Sequence, residues 1–146
     1  MADDPQAIAE ASAAAMWKND RASRSLGMAL VDVGPGRAAL TMTVRSDMLN
    51  GHGIVHGGFV FLLADSAFAF ACNSYDQKVV ASGADVSFLA PAGEGTVLTA
   101  RAQERHRAGR SGLYDVTVSA GDGTVIAHFR GRSRTIRGTH GAVDRA

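Results

Sequence analysis

From His56 to about Asn73 the chain reads HGGFVFLLADSAFAFACN, with Ala, Leu and Phe in the majority, no Pro, and no Gly after Gly58, which is helix-forming composition. Phe59, Leu62, Leu63, Ala67 and Phe70 fall on one face of that helix, but Phe61, Phe68 and Cys72 lie outside it. A helix apolar on nearly all sides is buried on nearly all sides. Other elements must therefore wrap around it, and this requirement restricts the fold more than any other feature of the sequence. A single acid, Asp65, interrupts the apolar run.

The rest of the chain supplies the wrapping. Four β-prone runs follow, roughly Val79 to Leu89, Val97 to His106, Gly112 to Ala120 and Val125 to Ile136, punctuated by APAGEG, RAGRSG and AGDG. Their short turns argue for antiparallel pairing among the four. Ahead of the helix, LGMALVDVGPGRAALTMTV is two β-prone runs around Gly34-Pro35-Gly36. Residues 5–20 read as an Ala-rich amphipathic helix with Ile8, Met16 and Trp17 free to dock. The simplest architecture is α+β: a curved antiparallel sheet of about six strands wrapped around one long central helix, plus an N-terminal helix. The 146 residues suit one domain at 22–137, with 1–21 as a helical extension and 138–146 as a flexible tail.

A lone cysteine, Cys72, excludes a disulfide framework and a Cys-based metal knuckle and points to a reducing setting. Acids near the N-terminus do not fit a secretory signal, and the longest apolar run, Phe59 to Cys72, is shorter than the ~20 residues that span a bilayer. A cytoplasmic protein with no membrane association is expected. The net charge of +1 conceals a split: ten Asp/Glu against six Lys/Arg in residues 1–100, then eight Arg against three acids in residues 101–137. That basic part predicts an anionic ligand or a nucleic acid. Nucleic acid is the weaker reading and is not expected, because the chain has two Tyr and one Trp, and neither Tyr lies in the Arg-rich HFRGRSRTIR to stack bases.

If the helix begins near His56, Gly57 and Gly58 occupy its first turn, where backbone N–H groups lack intrahelical partners and the dipole favours an anion or a polarised carbonyl oxygen. The Gly pair is equally compatible with a tight entry to the helix and nothing more. Asp65 lies eight residues beyond Gly57, about 12 Å along the axis. One ester or thioester cannot touch both groups in a single chain. Two antiparallel copies of the helix across a two-fold axis bring Asp65 of one towards Gly57 of the other, so two composite sites per dimer are expected.

A buried carboxylate needs a partner or a purpose. Asp65 is either half of an ion pair with a strand Arg, or a general base or nucleophile for an acyl carbon. Asn50 can hold a water or a substrate oxygen, or serve as a turn residue. His52 and His56 have a zinc-like spacing, but Gly51 and Gly53 argue against the helix such a site needs, so no metal is expected. His56 is better placed to orient the loop or bond a ligand carbonyl. In ERHRAGRSG, Arg107, Gly109, Arg110 and Ser111 form either a solvated turn or a grip on phosphates.

The pattern in NGHGIVHGGFVFLLADSAFAFACNS, an Asn, His-Gly-Gly six residues later and Asp nine residues after the His, resembles that of the hotdog-fold acyl-CoA thioesterases of the phenylacetic acid degradation type. The likeness continues through FLAPAGEGTVLTARAQERHRAGRSGLYDVTV and AHFRGRSRTI, covering about residues 22–136. It implies the hotdog fold, dimers whose sheets join edge to edge, and their pairing into homotetramers. The implied activity is hydrolysis of acyl-CoA, with phenylacetyl-CoA or hydroxyphenylacetyl-CoA ahead of medium-chain esters; CoA is substrate, and no cofactor or metal is implied. By position, the resemblance makes Asp65 the catalytic carboxylate and Gly57 the backbone donor to the thioester carbonyl, with His56 and Asn50 assisting. It places the CoA nucleotide near Arg107, Gly109, Arg110 and Ser111, and gives a substrate-facing hydroxyl to Ser82 or a neighbour in ASGADV. A hotdog dehydratase fits the spacing less well; a non-catalytic acyl-CoA-binding protein of the same fold is the other alternative.

Overall fold

A computed structural model describes residues 4–143; the first and last three residues, and what the sequence predicts for them, lie outside the described part. The elements are α1 (Pro5–Asn19), α2 (Arg21–Ser25), β1 (Ala29–Gly34), β2 (Arg37–Thr43), a 3₁₀ turn (Ser46–Met48), α3 (Gly57–Cys72), β3 (Val79–Phe88), β4 (Val97–Ala108), β5 (Ser111–Ala120) and β6 (Val125–Thr135). Asp4 caps α1 through the Gln6 amide, with Pro5 at the first helical position, where its missing N–H costs nothing.

The six strands make one antiparallel sheet in the order β1-β2-β4-β5-β6-β3, and α3 packs on one face. Leu40, Leu98, Val116 and Phe129 of the sheet meet Leu63, Ala67 and Phe68 of the helix in a single core cluster. At β6 the approach leaves no room for a side chain, since a Cβ built on Gly131 would lie 2.9 Å from three ring atoms of Phe68. Tyr114 and Phe129 flank that ring at centroid distances of 5.5 and 5.8 Å. No described helix is long and apolar enough to cross a membrane.

The expected sheet around a central helix is present, but two details differ from the sequence reading. First, the last four strands pair antiparallel as expected, but the APAGEG segment between β3 and β4 is not a short turn. β3 pairs with β6 at the sheet edge, and the segment between β3 and β4 is a crossover. Its backbone is taken up by other elements: Leu89 N–H goes to the Ile126 carbonyl, Val55 N–H to that of Ala92, and Gly95 N–H to that of Val44. Second, α3 is not covered on every side by its own chain. Phe61 is 37% exposed although its ring meets that of Phe129 at 5.3 Å, and with Gly58, Leu62 and Asp65 it forms a stripe that its own chain covers only in part.

The two sheet edges are unlike. β1 is bulged at Val31, packs against α1, and has its Val33 carbonyl taken by Gln6 Nε2 at 2.7 Å. β3 has a bulge at Ser82 but is regular from Gly83 to Phe88, and no described strand pairs with its outer side. Beyond β6 the chain is tied down as far as Val143. The Asp76 carboxylate accepts the amides of His140, Ala142 and Val143 at 3.0, 2.9 and 3.2 Å, so this part of the expected flexible tail is anchored beside the C-terminus of α3.

Candidate active site

His56 is the N-cap of α3, and its Nδ1 accepts the Gly58 amide at 2.9 Å. A neutral ring accepting at Nδ1 carries its proton on Nε2, which becomes a donor for a ligand. The Phe59 amide returns to the His56 carbonyl at 3.0 Å. That leaves the Gly57 amide without an acceptor among the described residues, at the positive end of the helix dipole. A side chain at position 57 would crowd this amide, since its Cβ would lie 2.9 Å from the ring of Phe88.

The loop before the helix is shaped by Asn50, whose Oδ1 accepts from His52 N at 2.9 Å and Ile54 N at 3.4 Å. This is an Asx-type turn, and Nδ2 remains without a partner among the described residues. Asn50, His56 and Gly57 line one cleft of about 650 Å³, closed on its apolar side by Val60, Phe88 and Ile126.

Asp65 sits two turns further along α3, on the half-buried stripe. Burial raises its pKa above the ordinary carboxylate value. Among the described residues it has no hydrogen-bond partner and no ion pair, so the strand Arg that a purely structural role would require is missing. The buried thiol of Cys72, two turns further along the same side of α3, is pushed up to about 12, mainly by burial, and is no competitor as a nucleophile.

The other predicted residues separate into two groups. Ser82 lies inside β3, at its bulge, and not ahead of the strand; its Oγ donates to the Arg132 carbonyl at 3.2 Å. Ser82 and Ser111 share a second cleft of about 260 Å³ with His106, Arg132 and Ser133. Gly109 and Arg110 make the two-residue turn between β4 and β5, with Gly109 at φ +58°. Arg110 has no ion pair among the described residues. Arg107 is engaged: its guanidinium lies 3.6 Å from the centre of the Tyr75 ring and 3.7 Å from Glu104, which also accepts the Tyr75 and Tyr114 hydroxyls at 2.9 and 3.0 Å.

The sequence reading missed Phe88, which ends β3 and faces Gly57, and Arg132, which joins the second cleft and pairs with Asp85 at 2.9 Å. FLAP after a strand marked the end of the strand but not its direction towards α3. For Arg132 the alternation in HFRGRSRTIR gave the face: His128, Arg130, Arg132 and Arg134 are all exposed on β6.

One antiparallel sheet wrapped around a single long helix is the hotdog arrangement, and the half-buried carboxylate and free amide of that helix are groups suited to ester or thioester chemistry. The thioesterase superfamily model matches residues 52–127, and the chain belongs to that family. It is 44% identical over 128 residues to acyl-coenzyme A thioesterase PaaI of Escherichia coli K12, covering 88% of this chain and 91% of that one. The solved structure of the E. coli PaaI protein superposes with a TM-score of 0.92 at 43% identity, over 93% of this chain and 99% of the other. A point mutant of the phenylacetic acid degradation protein PaaI from Thermus thermophilus gives a TM-score of 0.77 at 36% identity, over 80% of this chain and 100% of the other.

Proposed function

We propose that the chain hydrolyses acyl-CoA thioesters to the free acid and CoA at sites built from two copies of itself, Asp65 of one copy working beside the Gly57 N–H of the other. One observation carries the reading. A single chain holds an unpartnered carboxylate at mid-helix and an unpartnered amide at the helix start, eight residues and about 12 Å apart. Neither completes a site alone. The open β3 edge supports the pairing, because joining β3 to β3 about a two-fold axis continues the sheet and sets the two α3 stripes antiparallel.

In such a site the Gly57 N–H and His56 Nε2–H polarise the thioester carbonyl. Asp65 takes the proton of an attacking water, or attacks the carbonyl carbon itself before hydrolysis of the acyl intermediate. The net change is a C–O bond formed from water, a C–S bond broken, and CoA released as its thiol. Asn50 Nδ2 orients the water or the acyl oxygen. Arg110 and Ser111, with the Gly109 backbone of the same turn, bind the nucleotide phosphates, and Ser82, which shares a cleft with Ser111, offers a hydroxyl to the substrate. Phe88 and Phe61 give aromatic walls, which favours phenylacetyl-CoA or hydroxyphenylacetyl-CoA over medium-chain esters. The minimal active unit is a homodimer, which pairs into a homotetramer in the cytoplasm, and the catalytic domain is 22–137.

The test is CoA release from phenylacetyl-CoA and a series of aliphatic acyl-CoAs, followed with a thiol-reactive dye in wild type and Asp65→Asn, with the assembly mass measured by light scattering. Turnover should fall at least about 10²-fold in the variant while CoA-ester binding persists. Equal turnover in the two proteins removes Asp65 from the chemistry. Binding without turnover in both makes the chain an acyl-CoA-binding protein.

A further inference from the structure

Of the side chains between Gly57 and Ala71, only that of Ser66 hydrogen-bonds to another element among the described residues, and its partner is Ser23 of α2, at 2.7 Å between the hydroxyls. Both are buried, Ser66 at 8% exposure and Ser23 at 1%. Ser23 Oγ also lies 2.7 Å from Asp20 Oδ2, while Asp20 Oδ1 takes the Ser23 amide at 3.0 Å. An ionised carboxylate can only accept, so the proton of Ser23 goes to Asp20 and that of Ser66 goes to Ser23. The chain of bonds therefore has one direction, Ser66 to Ser23 to Asp20, and ends on a charge, which makes it stronger than a neutral pair.

The far end of this chain is itself held. Asp20 caps α2, and Arg45 Nη1 donates to the Ser25 carbonyl at 3.1 Å at the other end of the same short helix. A serine inside a helix commonly bonds back to its own backbone; Ser66 instead reaches outward. It is also the residue after Asp65, whose carboxylate has no partner to hold it among the described residues. Val60, Leu63, Phe68 and Phe70 set the distance of α3 from the sheet by apolar contact, and the bond from Ser66 to Ser23 adds a directional tie at the level of Asp65 that dispersion contacts do not supply. Side chains reach about 5–6 Å from a helix axis, so a roll of about 10° carries a carboxylate about 1 Å. A misplacement of that size can cost on the order of 10²-fold in rate.

We infer that Ser23 and Ser66 are positioning residues, and that the α2 segment is a brace which fixes the roll of α3 and so aims Asp65. The inference rests on the reading of Asp65 as the reacting carboxylate. It gives α2, which lies ahead of the family match over residues 52–127, a task in turnover.

The experiment compares Ser23→Ala, Ser66→Ala and Asp20→Asn, which keeps a good cap, with Asp65→Asn in the full-length protein. CoA release from phenylacetyl-CoA is measured across pH, and urea unfolding is measured in parallel. In the two Ala variants kcat should fall about tenfold or more with KM within twofold, and the acid limb of the pH profile should move, in protein that remains folded below its urea transition. Asp20→Asn should show the same change in smaller degree. An inactive Asp65→Asn beside Ala variants with wild-type kcat overturns the brace alone. Activity lost only in proportion to the unfolded fraction, with the acid limb unmoved, also overturns it. Wild-type turnover in Asp65→Asn overturns the reading of Asp65 and the brace with it.

Discussion

Replacing Gly131 with Ala tests how closely the sheet must approach α3. The new methyl would lie 2.9 Å from Cδ1, Cε1 and Cε2 of Phe68. Carbon atoms in contact settle near 3.5–4.0 Å, so the ring must retreat by roughly 0.6–1 Å. It has little room, being 1% exposed and flanked by Tyr114 and Phe129 at 5.5 and 5.8 Å. Overpacking of this kind costs about 1–3 kcal/mol, and each kcal/mol lowers the melting temperature of a chain this size by roughly 2–4 °C. Thermal and urea unfolding followed by circular dichroism measures the loss directly. Phe68 follows Asp65 by one turn on the same helix, so kcat should fall as well. The decisive variant is Gly131→Ala with Phe68→Leu, in which the smaller side chain makes room for the methyl. Its loss should be less than the sum of the two single losses, with a coupling of about 0.5–3 kcal/mol. Strict additivity, or a Gly131→Ala midpoint equal to wild type, refutes the account of a glycine kept for close approach.

Two further substitutions probe electrostatics and hydrogen bonding. Asp65 has a folded-state pKa raised by burial, so its ionisation weakens the fold: the penalty is absent below the unfolded-state pKa, near 4, and grows as pH rises towards the folded value. Asp65→Asn should therefore be more stable than wild type to urea at pH 7, with the difference shrinking as pH falls to about 4; a less stable variant at pH 7 contradicts the unpartnered carboxylate. Asn73 links the end of α3 to β3, donating to the Ala69 and Val79 carbonyls at 2.8 and 3.0 Å and accepting the Val79 amide at 2.9 Å. Asn73→Ala leaves the part-buried Val79 amide without its acceptor and should cost about 1–3 kcal/mol in urea unfolding, whereas an unchanged midpoint would mean that water replaces the side chain there.

The central helix and most strands were legible because their signals are local. An unbroken Ala, Leu and Phe run between His56 and Asn73 gave α3 to within a residue at each end, and Gly34-Pro35-Gly36 marked the first hairpin. The place of β3 was not legible, because pairing with β6 joins residues about fifty positions apart and depends on how the sheet closes around the helix. For α2 the only mark was an Asp three residues ahead of a Ser, too short a signal to separate from a turn. The grouping of Asn50, His56 and Gly57 followed from their nearness in sequence. The engagement of Arg107 by Tyr75 and Glu104 did not, since Tyr75 comes from a segment that meets the other two only in the folded chain. The bare stripe at Phe61 and Asp65 appeared in the sequence as full burial, because hydropathy registers that a surface is to be covered and not which molecule covers it.

The unlike edges of the sheet amount to a valence. A strand edge is an unfinished row of hydrogen bonds, and a sheet unfinished on both sides can add copies without end, as fibres do. Here β1 is closed by its bulge, by the Gln6 side chain and by α1, while β3 is left unfinished. A unit with one free bond can join one like unit, and the union exhausts both. On the proposed joining of β3 to β3, elongation along the sheet would stop at two, with the first helix and the Gln6 side chain setting that limit before any side chain of the cleft takes part.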